Sequence, residues 1–104
     1  MRTPQDVERG LTAPERLGLN TRVEIRKAAI QLLDELPEGS GRLVIDLSYT
    51  SEIDSAGLGA LMLIQRRAAE RRQSVVLRHP SEEIRFLLVL TKLSDLFEIE
   101  SLDD

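Results

Sequence analysis

Two short apolar runs, Leu43-Val44-Ile45-Asp46-Leu47 and Ser74-Val75-Val76-Leu77-Arg78, stand on either side of a helical stretch from about Ser55 to Arg72. That spacing reads as a β–α–β unit and constrains the chain more than any other feature. Its strands lie parallel, and its helix crosses over the sheet with a right-handed connection. The first run is partly β-branched, as expected of a central strand covered on both faces, and Asp46 departs from the pattern toward the strand end.

The flanks extend the same alternation. Thr21-x-x-Glu24 has capping-box spacing, and Ile25, Ala28, Ala29, Leu32, Leu33 and Leu36 follow at helical period until Pro37 and Gly39 stop them. Ser81 is placed to cap a third helix, with Glu82 and Glu83 in its first turn and Ile84, Leu87, Leu88 and Thr91 along one side. Ser94-Asp95 restarts a turn before a last short strand at Phe97-Glu98-Ile99. The expected fold is α/β: a small layered fold with a mostly parallel sheet of about four strands and helices packed on it. Residues 1–16 read as a polar lead-in with a short edge strand at Leu11-Thr12-Ala13, and residues 17–104 as one domain. A chain of 104 residues, 41% hydrophobic, has room for one core and no second domain.

Several function classes drop out on composition. A net charge of -4 supplies no global field for nucleic acid or an anionic membrane surface. Arg66, Arg67, Arg71 and Arg72 cluster, but Glu70 lies among them and no aromatic is interleaved, so they read as the wet face of a helix. Cysteine is absent, which removes disulfides, thiolate metal sites and thiol nucleophiles. The first residues lack the apolar core of a signal peptide, and no apolar run approaches the roughly 18 residues of a spanning helix, so the expectation is a cytoplasmic protein that does not insert in a membrane. The single histidine, His79, precedes Pro80 in a loop, and neither a Gly-x-Ser-x-Gly elbow nor a Gly-Lys-Ser/Thr phosphate loop is present. No spacing of carboxylates suits a metal. The chain therefore reads as a binding module with no enzymatic activity, catalytic residue, metal or cofactor.

The informative polar segment is Ser48-Tyr49-Thr50-Ser51-Glu52-Ile53, which runs into Asp54-Ser55-Ala56-Gly57-Leu58-Gly59. A hydroxyl at a helix start sits beside unpaired N–H groups and the positive dipole end, where a phosphate is well accommodated. Ser55 is thus a candidate phosphorylation site, although serine at such a position also serves simply as an N-cap, and Asp54 can be either a cap or a partner contact. Gly57 and Gly59 each cost about 1 kcal/mol relative to alanine inside a helix, which points to close approach by a neighbouring backbone or by a partner. The first half of this helix is apolar almost all round. Ser55, Leu58, Gly59 and Met62 share one flank, expected to face a partner, while Leu61 and Ile64 turn toward the core.

Three segments in order, Leu43 to Gly59, the helix to Arg72 joined to Val75-Val76-Leu77, and Ile84 to Phe97, resemble the STAS domain of bacterial anti-sigma factor antagonists over roughly residues 17–100. The resemblance implies that Ser55 is phosphorylated by an ATP-dependent anti-sigma factor serine kinase and restored by a phosphatase. It also implies that Asp54, Ser55, Gly57, Leu58, Gly59 and Met62 meet the partner, and that the unmodified protein binds the anti-sigma factor and frees a sigma factor. The N-terminus departs from the family pattern: Leu17-Gly18-Leu19-Asn20 stands where members carry a Gly-Glu-Leu-Asp-like turn after a β-hairpin, and the acidic residue often close to the switch serine is missing. The alternative is a STAS subunit of a membrane transporter complex, such as a lipid-transport ATPase, with Ser55 unmodified.

Overall fold

The computed structural model describes residues 7–101. Four parallel strands form the sheet: β1 (Glu8–Thr12), β3 (Arg42–Asp46), β5 (Ser74–Arg78) and β6 (Glu98–Glu100), in the order β1-β3-β5-β6. Two-residue strands β2 (Arg16–Leu17) and β4 (Glu52–Ile53) pair in parallel as a separate ladder. Helices α1 (Arg22–Glu35), α2 (Ser55–Glu70) and α3 (Glu82–Leu90) complete the fold, with a 3-10 turn at Leu93–Asp95. Because α3 follows β5, and α1 and α2 follow β1 and β3 by way of the short strands β2 and β4, all three begin at the end of the molecule where the strands of the sheet finish.

The core lies on one face of the sheet. Leu43, Ile45 and Leu47 of the β3 region and Val75 and Leu77 of β5 pack against Ile25, Ala29 and Leu33 of α1, against Leu61, Ile64 and Ala68 of α2, and against Ile84 and Leu88 of α3. Strand alternation sends Val44 and Val76 to the other face, outside that cluster yet buried. There the expectation of a sheet covered by helices on both faces fails. Arg42 instead reaches Glu98 at 3.1 Å and Glu100 at 3.2 Å, and Arg78 Nε donates to Glu100 at 2.7 Å, so an ion-pair row crosses the strands beside the two valines. The methylene stems of the arginines supply apolar cover while their heads stay wet.

Two expectations change in detail. The edge strand anticipated at residues 11–13 is five residues long and pairs with β3 throughout, so the sheet begins inside the segment read as a lead-in. At an edge, β1 buries no residue fully, which left the sequence without a clear alternation to read. Thr21 occupies the α1 cap position but makes no capping bond: its hydroxyl donates to the Arg16 carbonyl at 2.7 Å and accepts from the Gly18 N–H at 3.0 Å, tying β2 to the helix start. Ser81, by contrast, caps α3 as its spacing predicts, accepting from the Ile84 N–H at 3.2 Å.

Candidate functional site

The turn from β4 into α2 is fixed by contacts reaching back to β2. Leu17 O accepts from the Asp54 N–H at 3.2 Å, and the Thr50 hydroxyl, nearly buried, donates to the Pro14 carbonyl at 2.7 Å. Gly57 follows from the same approach. A Cβ there would overlap the Leu17 carbonyl, and the residue is buried. This corrects one expected partner contact: Gly57 lies beneath the surface because α2 starts directly against the β2 backbone.

Asp54 is the N-cap of α2. Its Oδ1 accepts from the Gly57 N–H at 2.9 Å, and its Oδ2 accepts from the Leu19 N–H at 3.2 Å, so one carboxylate joins the start of α2 to the loop before α1. Gly18 leaves the space that the carboxylate fills. The Gly57 N–H first, then the Leu19 N–H, hold the Asp54 carboxyl below the usual carboxylate range, and the Arg22 charge adds to them. A carboxyl with its pKa depressed in the folded state stabilises the fold above its unfolded pKa, and loses that contribution as pH falls through the folded value. Asp54→Asn keeps a capping oxygen and removes the charge. Its melting temperature is therefore expected to fall short of the parent's at about pH 6, with the gap closing below about pH 4. Melts across that range check it; a gap independent of pH would show that the charge contributes nothing.

With Asp54 capping, Ser55 is the first helical residue and is exposed. The ridge formed by these two residues separates two hollows. On the Ser55 side, a cleft of about 410 Å³ between α1 and α2 is lined by Arg22 and Arg26 and by Ser55, Gly59, Met62 and Arg66. On the Asp54 side, a broader depression of about 780 Å³ runs between the β2–β4 ladder and α3, with Leu19, Ile53 and Phe86 in its wall. Large apolar groups stand open in both: Met62 is 49% exposed on one side, and Leu19 and Phe86 are each 64% exposed on the other.

The flank expected on α2 divides accordingly. Ser55, Gly59 and Met62 line the cleft, Leu58 packs half-buried against the core, and Leu61 and Ile64 are fully buried as expected. Sequence reasoning missed Arg22, Arg26 and Phe86. Arg22 carried a usable signal, since a cation in the first turn of a helix opposes its dipole and calls for another reason. Phe86 carried one too, as it lies outside the stripe of Ile84, Leu87, Leu88 and Thr91 that faces inward. His79 takes a left-handed backbone at φ 55° in the loop after β5, and its N–H donates to the Glu100 carbonyl at 2.7 Å. Among the described residues no group of three or more His, Asp and Glu side chains is placed to hold a metal, and no helix is long and apolar enough to cross a membrane.

Comparison with known proteins places this geometry in a wider set. The family model described as Mlab, STAS domain, matches residues 8–100. A STAS-domain-containing protein of Pseudomonas aeruginosa (strain UCBPP-PA14) is 33% identical over 58 residues, which are 56% of this chain and 57% of that protein. The aligned stretch thus spans little more than half the length of that curated relative. Among solved structures, a candidate anti-sigma factor antagonist from Thermotoga maritima superposes with a TM-score of 0.78 at 23% identity, covering 92% of this chain and 80% of that one. The anti-sigma factor antagonist SpoIIAA in its unphosphorylated form gives 0.68 at 16% identity, covering 97% and 84%. A sulfate transporter family protein from Wolinella succinogenes gives 0.65 at 15% identity, covering 92% and 77%. At these identities the structural likenesses establish a shared fold.

Proposed function

The chain belongs to the STAS domain family, and from that premise we propose that it is an anti-sigma factor antagonist, a binding module switched by phosphorylation of Ser55. One observation carries the reading: Asp54 does the capping, so the exposed Ser55 hydroxyl is free of the structural task that would otherwise explain it. Unmodified, the domain engages an anti-sigma factor kinase through the Asp54–Ser55 ridge, Gly59, Met62 and the exposed apolar groups beside them. In the transfer step, Ser55 Oγ bonds to the γ-phosphorus of ATP as the bridging P–O bond breaks. ADP leaves, and the hydroxyl proton passes to a base of the kinase. The added charge, about -1.5 to -2 beside Asp54, then disfavours the complex. A phosphatase resets it.

The second reading, a STAS subunit docked permanently in a membrane transporter complex, draws support from the fold shared with a sulfate transporter family protein. Affinity purification of the tagged chain, followed by incubation of the captured complex with ATP, separates the two. The proposed function expects a co-purifying ATP-binding kinase and an intact-mass gain of one phosphate that Ser55→Ala abolishes. A transporter ATPase in place of the kinase, or phosphate mapped to Ser48, Thr50 or Ser51, would overturn it.

A further inference from the structure

Helices α1 and α2 run parallel. Asp34 meets Arg67 at 2.8 Å and Glu38 meets Arg71 at 3.5 Å toward their far ends, and the same register sets Arg22 level with Ser55 and Arg26 level with Gly59. At that near end the pattern of charge changes. Arg22 and Arg26 line the cleft with Ser55, and among the described residues neither takes part in an ion pair, whereas Arg67 and Arg71 each do. Electrostatically this is an unfavourable place for cations. Arg22 is the first residue of α1, against the positive end of its dipole, and Arg26 lies one turn further on the same face, where like charges repel. Asp54 is the neighbouring acid, and both of its oxygens accept backbone N–H groups. A chain with 18 acidic and 14 basic residues nonetheless sets two arginines with no ion pair among the described residues beside one hydroxyl. Gly59 lies on the floor of the same cleft, and a Cβ there would meet nothing within 4 Å, so packing within the chain does not demand a glycine at that position.

The geometry points to a phosphoryl group on Ser55 as the anion that completes the near end of this cleft, held in cis by Arg22 and Arg26 from α1. This deepens the reading of Ser55 as the modified residue and rests on it. A guanidinium fork suits phosphate oxygens, and the α2 N-terminus adds N–H groups from below. Asp54, on the turn between β4 and α2, is the charge that works against the clamp. Two cations facing the dianion, with the helix N-terminus beneath it, outweigh that charge. The modified protein therefore keeps its fold and neutralises most of the positive cleft that the unmodified protein displays.

The test uses the full chain with phosphoserine installed at position 55 by genetic code expansion, titrated by ³¹P NMR. The second ionisation of the phosphate is expected about one pH unit or more below its value in the same protein unfolded in urea, as opposite charges within a few ångströms favour the dianion. Arg22→Gln with Arg26→Gln should remove most of that displacement, whereas Arg66→Gln, about three turns further along α2, should leave it in place. Arg22→Lys with Arg26→Lys should keep an intermediate value, since the charge is retained but the fork is lost. Melting curves confirm that each variant is folded before it is titrated. Identical titration in folded and unfolded protein would overturn the clamp, as would a displacement that survives the Arg22→Gln, Arg26→Gln double substitution, which would belong to the helix end alone. The phosphate is installed without any kinase, so a failure to find Ser55 modified in cells would defeat the switch reading while leaving the titration result standing.

Discussion

Replacing Gly57 by alanine is expected to cost about 2 kcal/mol or more of stability, although alanine is the better helix former by about 1 kcal/mol. The added methyl would overlap the Leu17 carbonyl, a backbone atom held by the β2–β4 ladder and by the Asp54 N–H, so relief requires the helix start to move. For a domain of this size the melting temperature should fall by about 10 °C or more. Gly59→Ala is the matched control. Its Cβ enters open space, so helix propensity and the restricted unfolded chain should raise stability by about 0.5–1 kcal/mol. Thermal and urea melts of the two variants check the pair. Equal effects would mean that the close approach of Leu17 is not what requires Gly57.

Under the proposed function, phosphoserine at position 55 should weaken anti-sigma factor binding about a hundredfold or more, equivalent to about 2.7 kcal/mol. Ser55→Ala should stay within a few-fold of the parent, because the hydroxyl itself lies outside the capping bond. Met62→Lys should weaken binding about tenfold at little cost in stability, since Met62 is 49% exposed and an exposed substitution usually stays within about 0.5 kcal/mol. Titration calorimetry with the partner, alongside melts, separates these effects. A large drop in melting temperature for Met62→Lys would make the residue part of the core, and unchanged affinity with unchanged melting would place the interface elsewhere.

The β–α–β unit from Leu43 to Arg78 was legible because a central parallel strand and an amphipathic helix each leave a period in the residues, and so were the α3 cap at Ser81 and the inward turn of Leu61 and Ile64. What stayed hidden depends on contacts between distant segments. Two-residue strands such as β2 and β4 have no period to read. The burial of Gly57 is set by Leu17, and the second bond of Asp54 is made with Leu19, 35 residues away. Thr21 shows the converse: a valid capping spacing was overridden because its hydroxyl found the Arg16 carbonyl. The cleft itself was half visible. Ser55, Gly59 and Met62 share a face on α2 alone, but Arg22 and Arg26 join them only through the register of two helices, which no local pattern encodes.

Because all three helices start at the same end of the sheet, their dipoles add, and Arg22 and Arg26, with no ion pair among the described residues, stand at that same end. In a molecule of net charge -4 the positive charge at this end is confined to the cleft beside Ser55, since Glu52, Asp54 and Glu83 line the depression on the other side of the ridge. Such a local field acts before contact: an acidic group arriving by diffusion is drawn to the Ser55 side and repelled from the other. Such orientation on approach typically raises association rates by about tenfold or more at low salt, and the gain fades as ionic strength rises. Under the proposed function, phosphate on Ser55 would cancel that local field, so the modification would govern how often a partner arrives facing the right way as well as how long it stays.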